Sequence, residues 1–244
     1  MHSAFGLKHI IILIISLALI VILSIFSKKM SFKNVCKTLF YIGIVSELVK
    51  VFTYILINED KFGGYLPKTD LPFHLCSIQI IFIAIVNITK SEKLKRFILS
   101  FMFPSCLIGG FAALLIATSS SLNVWPITFQ YNLYHISIIV FAINMIGNKE
   151  IKFEIKDYFN CLKFLLIVMF FAIYINSMLY DGESNINFMY VVKPPMEGLP
   201  YLNDNHGWLS YVLKYLLLIL VSITICYIRP IIVAIKNKAN SKKA

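Results

Sequence analysis

Seven long runs of apolar residues, separated by short polar segments, dominate the chain. They lie near residues 9–26, 36–57, 71–89, 97–117, 127–146, 158–180 and 208–228. Each run is close to the ~20 apolar residues that an α-helix needs to cross the hydrocarbon core of a bilayer. The pattern therefore predicts an all-α, polytopic membrane protein, in which residues 1–244 form a single domain of seven transmembrane helices.

The basic residues between these runs predict an orientation. If the N-terminus is outside, sixteen basic residues lie on the inner side and four on the outer side. The inner ones are Lys28, Lys29, Lys33, Lys37, Lys90, Lys93, Lys95, Arg96, Lys149, Lys152, Lys156, Arg229, Lys236, Lys238, Lys242 and Lys243, and the outer ones are Lys8, Lys61, Lys68 and Lys193. Because cytoplasmic loops carry an excess of lysine and arginine, the N-terminus is predicted to be outside and the C-terminus cytoplasmic.

The composition agrees with a membrane protein and argues against a nucleic-acid partner. Of the 244 residues, 59% are hydrophobic and 14% are charged, whereas about 25% of the residues in a soluble domain are charged. The net charge of +11 comes from residues spread between the apolar runs rather than from one patch. We predict a multi-pass protein of the cell membrane whose partners are membrane lipids. No feature of the sequence indicates an oligomeric state.

The third apolar run begins with the most unusual segment of the chain, Leu71–Ser77, which contains a histidine and a cysteine. Asp70 is predicted to be the N-cap and Pro72 to lie in the first turn. Cys76 would then lie just over one turn inside the helix, where the helix dipole favours a thiolate, and so would suit a nucleophile. His74 is two residues away and points to another side of the helix, so it is not predicted to be the base for Cys76.

The fifth run supplies a candidate base. His135 shares one helix face with Thr128 and Asn132, and its predicted depth matches that of Cys76. A cysteine–histidine pair of this kind is typical of acyl transfer. In the alternative interpretation, His135 bonds to a neighbouring helix and Cys76 packs as a small apolar residue.

Two further groups of polar residues are candidates for binding a substrate. Glu47 and Lys50 lie inside the second run, either as a clamp between helices or facing a substrate. The long segment 181–206 contains Asn187, Tyr190 and Lys193. Long loops are often lids or binding loops, and Lys193 is the first choice to contact a phosphate or carboxylate. The alternative is a loop held at the lipid headgroups by its aromatic residues.

Three segments together resemble a known family. Residues Leu71–Ser77, Gln130–His135 and Asn187–Pro195 resemble the YwaF-like family of bacterial integral membrane proteins, which is related to the animal family called transmembrane protein one-six-four. The resemblance implies seven spans. The animal relative is described as a phospholipid acyltransferase that uses a cysteine and a histidine, and more distant relatives hydrolyse lipid esters. The resemblance therefore implies that His135 is the base and Cys76 the nucleophile.

The leading hypothesis is a lipid acyltransferase or lipid-ester hydrolase whose site is on the outer face. The predicted catalytic residues are Cys76, His135 and His74, and the predicted substrate-binding residues are Glu47, Lys50, Gln79, Gln130, Asn132, Asn187, Tyr190 and Lys193. A second hypothesis is a non-catalytic bundle that binds or transports a small solute. A third is a metal-dependent hydrolase that uses His74, His135 and His206, although no metal-ligand spacing is present. Neither a metal nor a cofactor is predicted.

Overall fold

The structure is a computed structural model that describes residues 6–57, 64–116, 124–148, 153–196, 199, 201–202 and 206–241. In this part of the chain there are eight α-helices and no β-strand. The helices are α1 Leu7–Ser27, α2 Phe32–Phe52, α3 Leu75–Ile88, α4 Glu92–Leu115, α5 Trp125–Gly147, α6 Ile155–Leu179, α7 Trp208–Cys226 and α8 Ile228–Ser241. A π-helical turn, Thr53–Ile57, extends α2.

The prediction of an all-α membrane protein is confirmed. Six helices among the described residues are long and apolar enough to cross a membrane: α1, α2 with its extension to Leu56, α4, α5, α6 and α7. The remaining predicted run forms α3, which has 14 residues. At 1.5 Å per residue it reaches roughly 21 Å, less than the ~30 Å hydrocarbon core. The basic residues Lys61, Lys149, Lys152, Lys242 and Lys243, used to predict the orientation, lie outside the described residues.

The predicted start of the third helix is wrong. Leu71 has an extended backbone with ψ 151°, and His74, not Asp70, is the N-cap of α3. The cause is Pro72, whose ring disfavours the α conformation for the residue before it. A helix that started at Asp70 would have to pass through Leu71. The chain turns instead, with the Phe73 amide donating to the Leu71 carbonyl at 2.7 Å.

Helix α5 lies at the centre of the bundle, in contact with α1, α2 and α4, and α4 in turn contacts α3, α6 and α7. Two glycines allow these helices to approach closely. A Cβ at Gly110 of α4 would come within 2.6 Å of Ile139 in α5, and a Cβ at Gly43 of α2 within 2.7 Å of Ile80 in α3. Small residues at helix contacts are a common way to pack helices in a membrane.

An ion-pair network joins the N-terminal ends of α4 and α6. Arg96 donates from Nε to Asp157 Oδ1 at 2.6 Å and from Nη2 to Asp157 Oδ2 at 2.8 Å and Glu154 Oε2 at 2.8 Å. Asp157 is 1% exposed and also accepts the Glu154 amide at 2.7 Å as part of a capping box. The network therefore fixes where α6 begins relative to α4.

We expect Arg96→Ala to lower the free energy of unfolding by about 2 kcal/mol, because it leaves the buried Asp157 carboxylate without its charge partner. The figure is below the usual loss for a fully buried pair, since Arg96 is partly exposed. Thermal unfolding of the purified protein in detergent measures the change. Lys95→Ala is the matched control, because its pair with Glu92 is exposed. Equal unfolding temperatures for the two variants would contradict this role for Arg96.

Candidate functional site

A cavity of about 690 Å³ lies between α2, α3, α4, α5 and α7 and is bordered by the segments before α3 and α7. Its volume is within the range of roughly 300–1,000 Å³ that is usual for ligand pockets. Of the eleven residues predicted to form a site, the wall contains Glu47, Lys50, His74, Cys76, Gln79, Gln130, His135, Asn187, Tyr190 and Lys193. The cavity therefore brings these ten predicted residues, from three helices and two connecting segments, together in one place.

Asn132 is the predicted site residue that this wall does not contain. Its amide donates to the Thr128 carbonyl at 2.7 Å, within its own helix. Helix periodicity placed Asn132 and His135 on one face of the helix but did not show this local bond, which uses one N–H of an amide that was predicted to bind substrate.

Cys76 is the second residue of α3, closer to the helix N-terminus than the sequence predicted. The Tyr134 hydroxyl donates to the Cys76 carbonyl at 2.8 Å and ties the start of α3 to α5. Amides in the first turn of a helix have no partner within the helix, and they favour negative charge nearby. The corrected helix start therefore places the thiol closer to these amides than the sequence predicted.

His135 is 3% exposed, and its Nδ1 donates to the Tyr131 carbonyl at 2.7 Å. A carbonyl can only accept, so in the neutral ring the proton is on Nδ1 and the lone pair on Nε2. The ring also packs against Tyr131, with 4.2 Å between ring centroids. Within the described residues, no hydrogen bond joins this ring to the Cys76 thiol, although both line the cavity.

His74 shows the opposite tautomer. Its Nε2 donates to the Thr69 carbonyl at 3.1 Å, so the lone pair of the neutral ring is on Nδ1. The ring is edge-on to Phe188 at 5.1 Å and 6.0 Å from the Tyr190 ring. His74 thus links the start of α3 to the long loop before α7.

Glu47 and Lys50 form an ion pair of 2.7 Å, and the Ser77 hydroxyl donates to the other Glu47 oxygen at 2.6 Å. Through Ser77 the pair joins α2 to α3, as a clamp between helices would. It also lines the cavity, as residues that face a substrate would. A carboxylate with two such partners is held in one orientation.

Two glutamines present different groups to the cavity. The Gln130 carbonyl oxygen accepts from Ser46 at 2.5 Å, which leaves its amide N–H groups as donors. Gln79 donates from Nε2 to Ser105, whose hydroxyl in turn donates to the Phe101 carbonyl at 2.8 Å. Gln79 Oε1 is buried and has no partner among the described residues. One glutamine therefore offers a donor and the other an acceptor.

The segment from Ile186 to Lys193, which we call the inner loop, packs into the bundle. Phe188 is 0% and Val191 1% exposed. Asn187 accepts the Val192 and Lys193 amides at 3.1 and 3.3 Å, and Lys193 Nζ donates to Asn185 at 2.8 Å. The loop is therefore an ordered wall of the cavity, not a segment that merely rests on headgroups.

Helices α6 and α7 hold the inner loop by bonds to its backbone. Asn176 accepts the Phe188 amide at 2.8 Å and donates to its carbonyl at 3.0 Å. From α7, Trp208 donates to Val191 at 3.0 Å, Tyr215 to Met189 at 3.0 Å, and Tyr211 to Tyr190. These bonds stabilise Met189 and Tyr190 at φ 55° and 53°, a left-handed conformation that is unfavourable for both residues.

The Tyr190 hydroxyl makes no hydrogen bond to any described residue. Burial raises the pKa of the Tyr190 phenol, so the hydroxyl keeps its proton and is available as a donor in the cavity. Asp181 lies at the start of the same connecting segment and pairs with Lys68, which precedes α3, at 2.7 Å. This ion pair lowers the pKa of the Asp181 carboxyl.

The other histidines do not join this site. His9 lies in α1 and bonds to the Leu114 carbonyl at 2.9 Å, and His206 is not part of the cavity wall. In the described part of the chain, no three His, Cys, Asp or Glu side chains are grouped so that they could hold a metal ion. His206, the third ligand in the metal-dependent hypothesis, therefore does not line the cavity with His74 and His135.

Sequence reasoning missed several residues of the wall. They are Asp70, Thr69, Ser105, Tyr131, Tyr134 and Tyr215. The signal for Tyr131 and Tyr134 was the high density of polar residues between Gln130 and His135, because a hydroxyl within an apolar helix needs a partner. Tyr131 and Tyr134 find theirs on the backbone of α4 and α3.

A model of the TMEM164 family matches residues 4–227, which is nearly the whole chain. No curated protein and no solved structure matches the chain. The matched range contains every residue of the cavity wall.

Proposed function

This chain belongs to the TMEM164 family, and from that premise we propose that it transfers or hydrolyses lipid acyl groups, with Cys76 as nucleophile and His135 as base. The observation that supports the proposal most is the wall of the cavity, which contains both the cysteine and the histidine. The bond from His135 to Tyr131 leaves Nε2 as the basic nitrogen. A thiol and a basic imidazole in one pocket are the parts that acyl transfer through a thioester requires.

The proposal includes a topology. We assign the chain to the YwaF-like bacterial members, with α3 as a short seventh span, the N-terminus outside and the protein in the cell membrane. Support comes from the apolar sequence of α3, its contacts with α2 and α4, and the excess of basic residues on the predicted inner side. Because the cavity adjoins the N-terminal end of α3, the site then opens on the outer face.

The reaction begins with removal of the Cys76 proton by His135 Nε2. A thiol away from water keeps its proton until a base removes it. The thiolate sulfur attacks the ester carbonyl carbon, the C–O bond breaks, and the leaving oxygen takes the proton from His135. The acyl group is then a thioester on Cys76. A lipid hydroxyl or water, deprotonated by His135, attacks the thioester, and the thiolate that leaves is protonated again.

Other residues of the wall suit the remaining tasks. The Gln130 amide, held by Ser46, donates to the carbonyl oxygen as negative charge develops there. Lys193 and Asn187 bind a headgroup at the cavity end formed by the inner loop. The buried Gln79 Oε1 accepts a hydroxyl of the substrate, since an unpaired buried acceptor costs about 1–3 kcal/mol.

We expect Cys76 to carry a thioester during turnover. The full-length protein in vesicles is supplied with a phospholipid that has an alkyne-tagged acyl chain, quenched in acid, and digested for mass spectrometry. A tag on Cys76 that hydroxylamine removes is the expected result. Cys226→Ala is the control, because Cys226 lies at the far end of α7 and should be dispensable. Turnover with no tag on Cys76, or a tag that remains in Cys76→Ala, contradicts the proposal.

A second candidate function, binding or transport of a small polar solute, is favoured by the Glu47–Lys50 ion pair in the cavity wall. It predicts that Glu47→Gln abolishes solute uptake and that no acyl group is ever bound to the protein. Uptake that depends on Glu47, together with an unlabelled Cys76, would replace acyl transfer with this function.

A further inference from the structure

Helix α8 follows the last candidate span after a single residue, Tyr227, and is not itself a candidate span. One side of it, through Ile231, packs against the core beside α6 and α7. Another side presents Ile228, Ile232 and Ile235, which are 51%, 44% and 63% exposed. Residues spaced by four and three lie on one helix face. These three isoleucines, which we call the isoleucine face, have no covering element in the described structure.

The charges of α8 flank this face. The helix contains Arg229, Lys236 and Lys238 and no acidic residue. At 3.6 residues per turn, Arg229 and Lys236 lie about 20° apart on one flank of the isoleucine face, and Lys238 lies on the opposite flank. Basic side chains in this arrangement extend their apolar stems along the membrane boundary and keep their charges at the headgroups.

We propose that α8 lies in the membrane interface, with the isoleucine face in the acyl boundary and with Arg229 and Lys236 bound to the headgroups of anionic phospholipids. The charge and the position of α8 both favour a lipid surface as the partner. A helix that starts one residue beyond a span is already at the membrane surface, and a basic flank without acidic residues is complementary to anionic lipid. This surface is separate from the cavity, so the inference does not depend on acyl transfer.

Amide hydrogen exchange of the full-length protein in vesicles tests the proposal. We expect the amides of 228–241 to exchange more slowly in phosphatidylcholine vesicles that contain phosphatidylglycerol than in phosphatidylcholine alone. A basic residue near an anionic surface contributes roughly a fivefold effect, the equivalent of about 1 kcal/mol. The double variant Arg229→Gln/Lys236→Gln should therefore lose most of the difference, and high salt should reduce it in the native chain.

The matched control is Lys33→Gln/Lys37→Gln, which removes the same charge from exposed positions of α2, on the predicted inner side. This control should keep the lipid-dependent slowing in α8, and an equal loss in both double variants would overturn a specific role for α8. Exchange that is the same in both kinds of vesicle would also overturn it. Slowing that follows the protein-to-lipid ratio instead of lipid charge would assign the isoleucine face to a second copy of the chain.

Discussion

His135→Gln is expected to lower the rate of acyl transfer by a factor of about 10²–10⁴, the usual contribution of a general base. The glutamine side chain fills most of the space of the ring and can still donate to the Tyr131 carbonyl, so the bundle should stay folded. It has no basic nitrogen, however, and the Cys76 thiol then has no group that removes its proton. The fall should appear in kcat and in the rate at which the thioester forms.

His9→Gln is the matched control, because His9 is also 3% exposed and also bonds to a backbone carbonyl, that of Leu114. It lies outside the cavity wall, so its replacement should change stability but not the chemical step. If both variants lose the same activity, the loss comes from unfolding.

His74→Gln separates the two histidines of the cavity. His74 has its lone pair on Nδ1 and lies against the inner loop, so we assign it to substrate positioning. Its replacement should raise KM more than it lowers kcat. If His135→Gln forms the thioester at the normal rate and His74→Gln forms it much more slowly, then His74 is the base and His135 positions the substrate.

The helices could be predicted from the sequence because each apolar run has only one stable conformation in lipid. The exception, the start of α3, shows the limit of local signals. Asp70 and Pro72 look like a cap and a first turn, and the extended Leu71 before the proline decides the outcome. The prediction used the tolerance of proline in the first turn of a helix. The restriction that proline places on the residue before it had the larger effect.

Much of the cavity wall could be predicted because polar residues in an apolar helix are few and tend to meet one another. What the sequence could not show was which partner each polar group takes. Asn132 bonds within α5, whereas Gln130, two residues earlier, bonds across to Ser46. The conformation of the inner loop was also beyond prediction, because Met189 and Tyr190 are not residues that favour positive φ.

Asn176→Ala is expected to release the inner loop. The side chain bonds to both the amide and the carbonyl of Phe188, and all of these groups are buried. Removing it leaves two buried backbone groups unpaired, at about 1–3 kcal/mol each. The strain at Met189 and Tyr190 acts in the same direction, since a left-handed conformation persists only while the surroundings enforce it. Amide exchange between 186 and 193 should accelerate by roughly 10²-fold.

Asn87→Ala is the control, because Asn87 also donates to two carbonyls, those of Cys36 and Ile83, but has no contact with the inner loop. It should leave exchange in the loop unchanged. The released loop also withdraws Phe188 and Tyr190 from His74, so KM should rise in Asn176→Ala and not in Asn87→Ala.

Unchanged exchange in Asn176→Ala would mean that the three donors of α7 hold the inner loop alone. Tyr215→Phe would then be the decisive variant, since it removes only the bond to the Met189 carbonyl at the strained position. A loop that opens in Asn176→Ala while turnover stays normal would show that the inner loop is a structural wall. In that case headgroup binding would pass from Lys193 to the Glu47–Lys50 ion pair, which also lines the cavity.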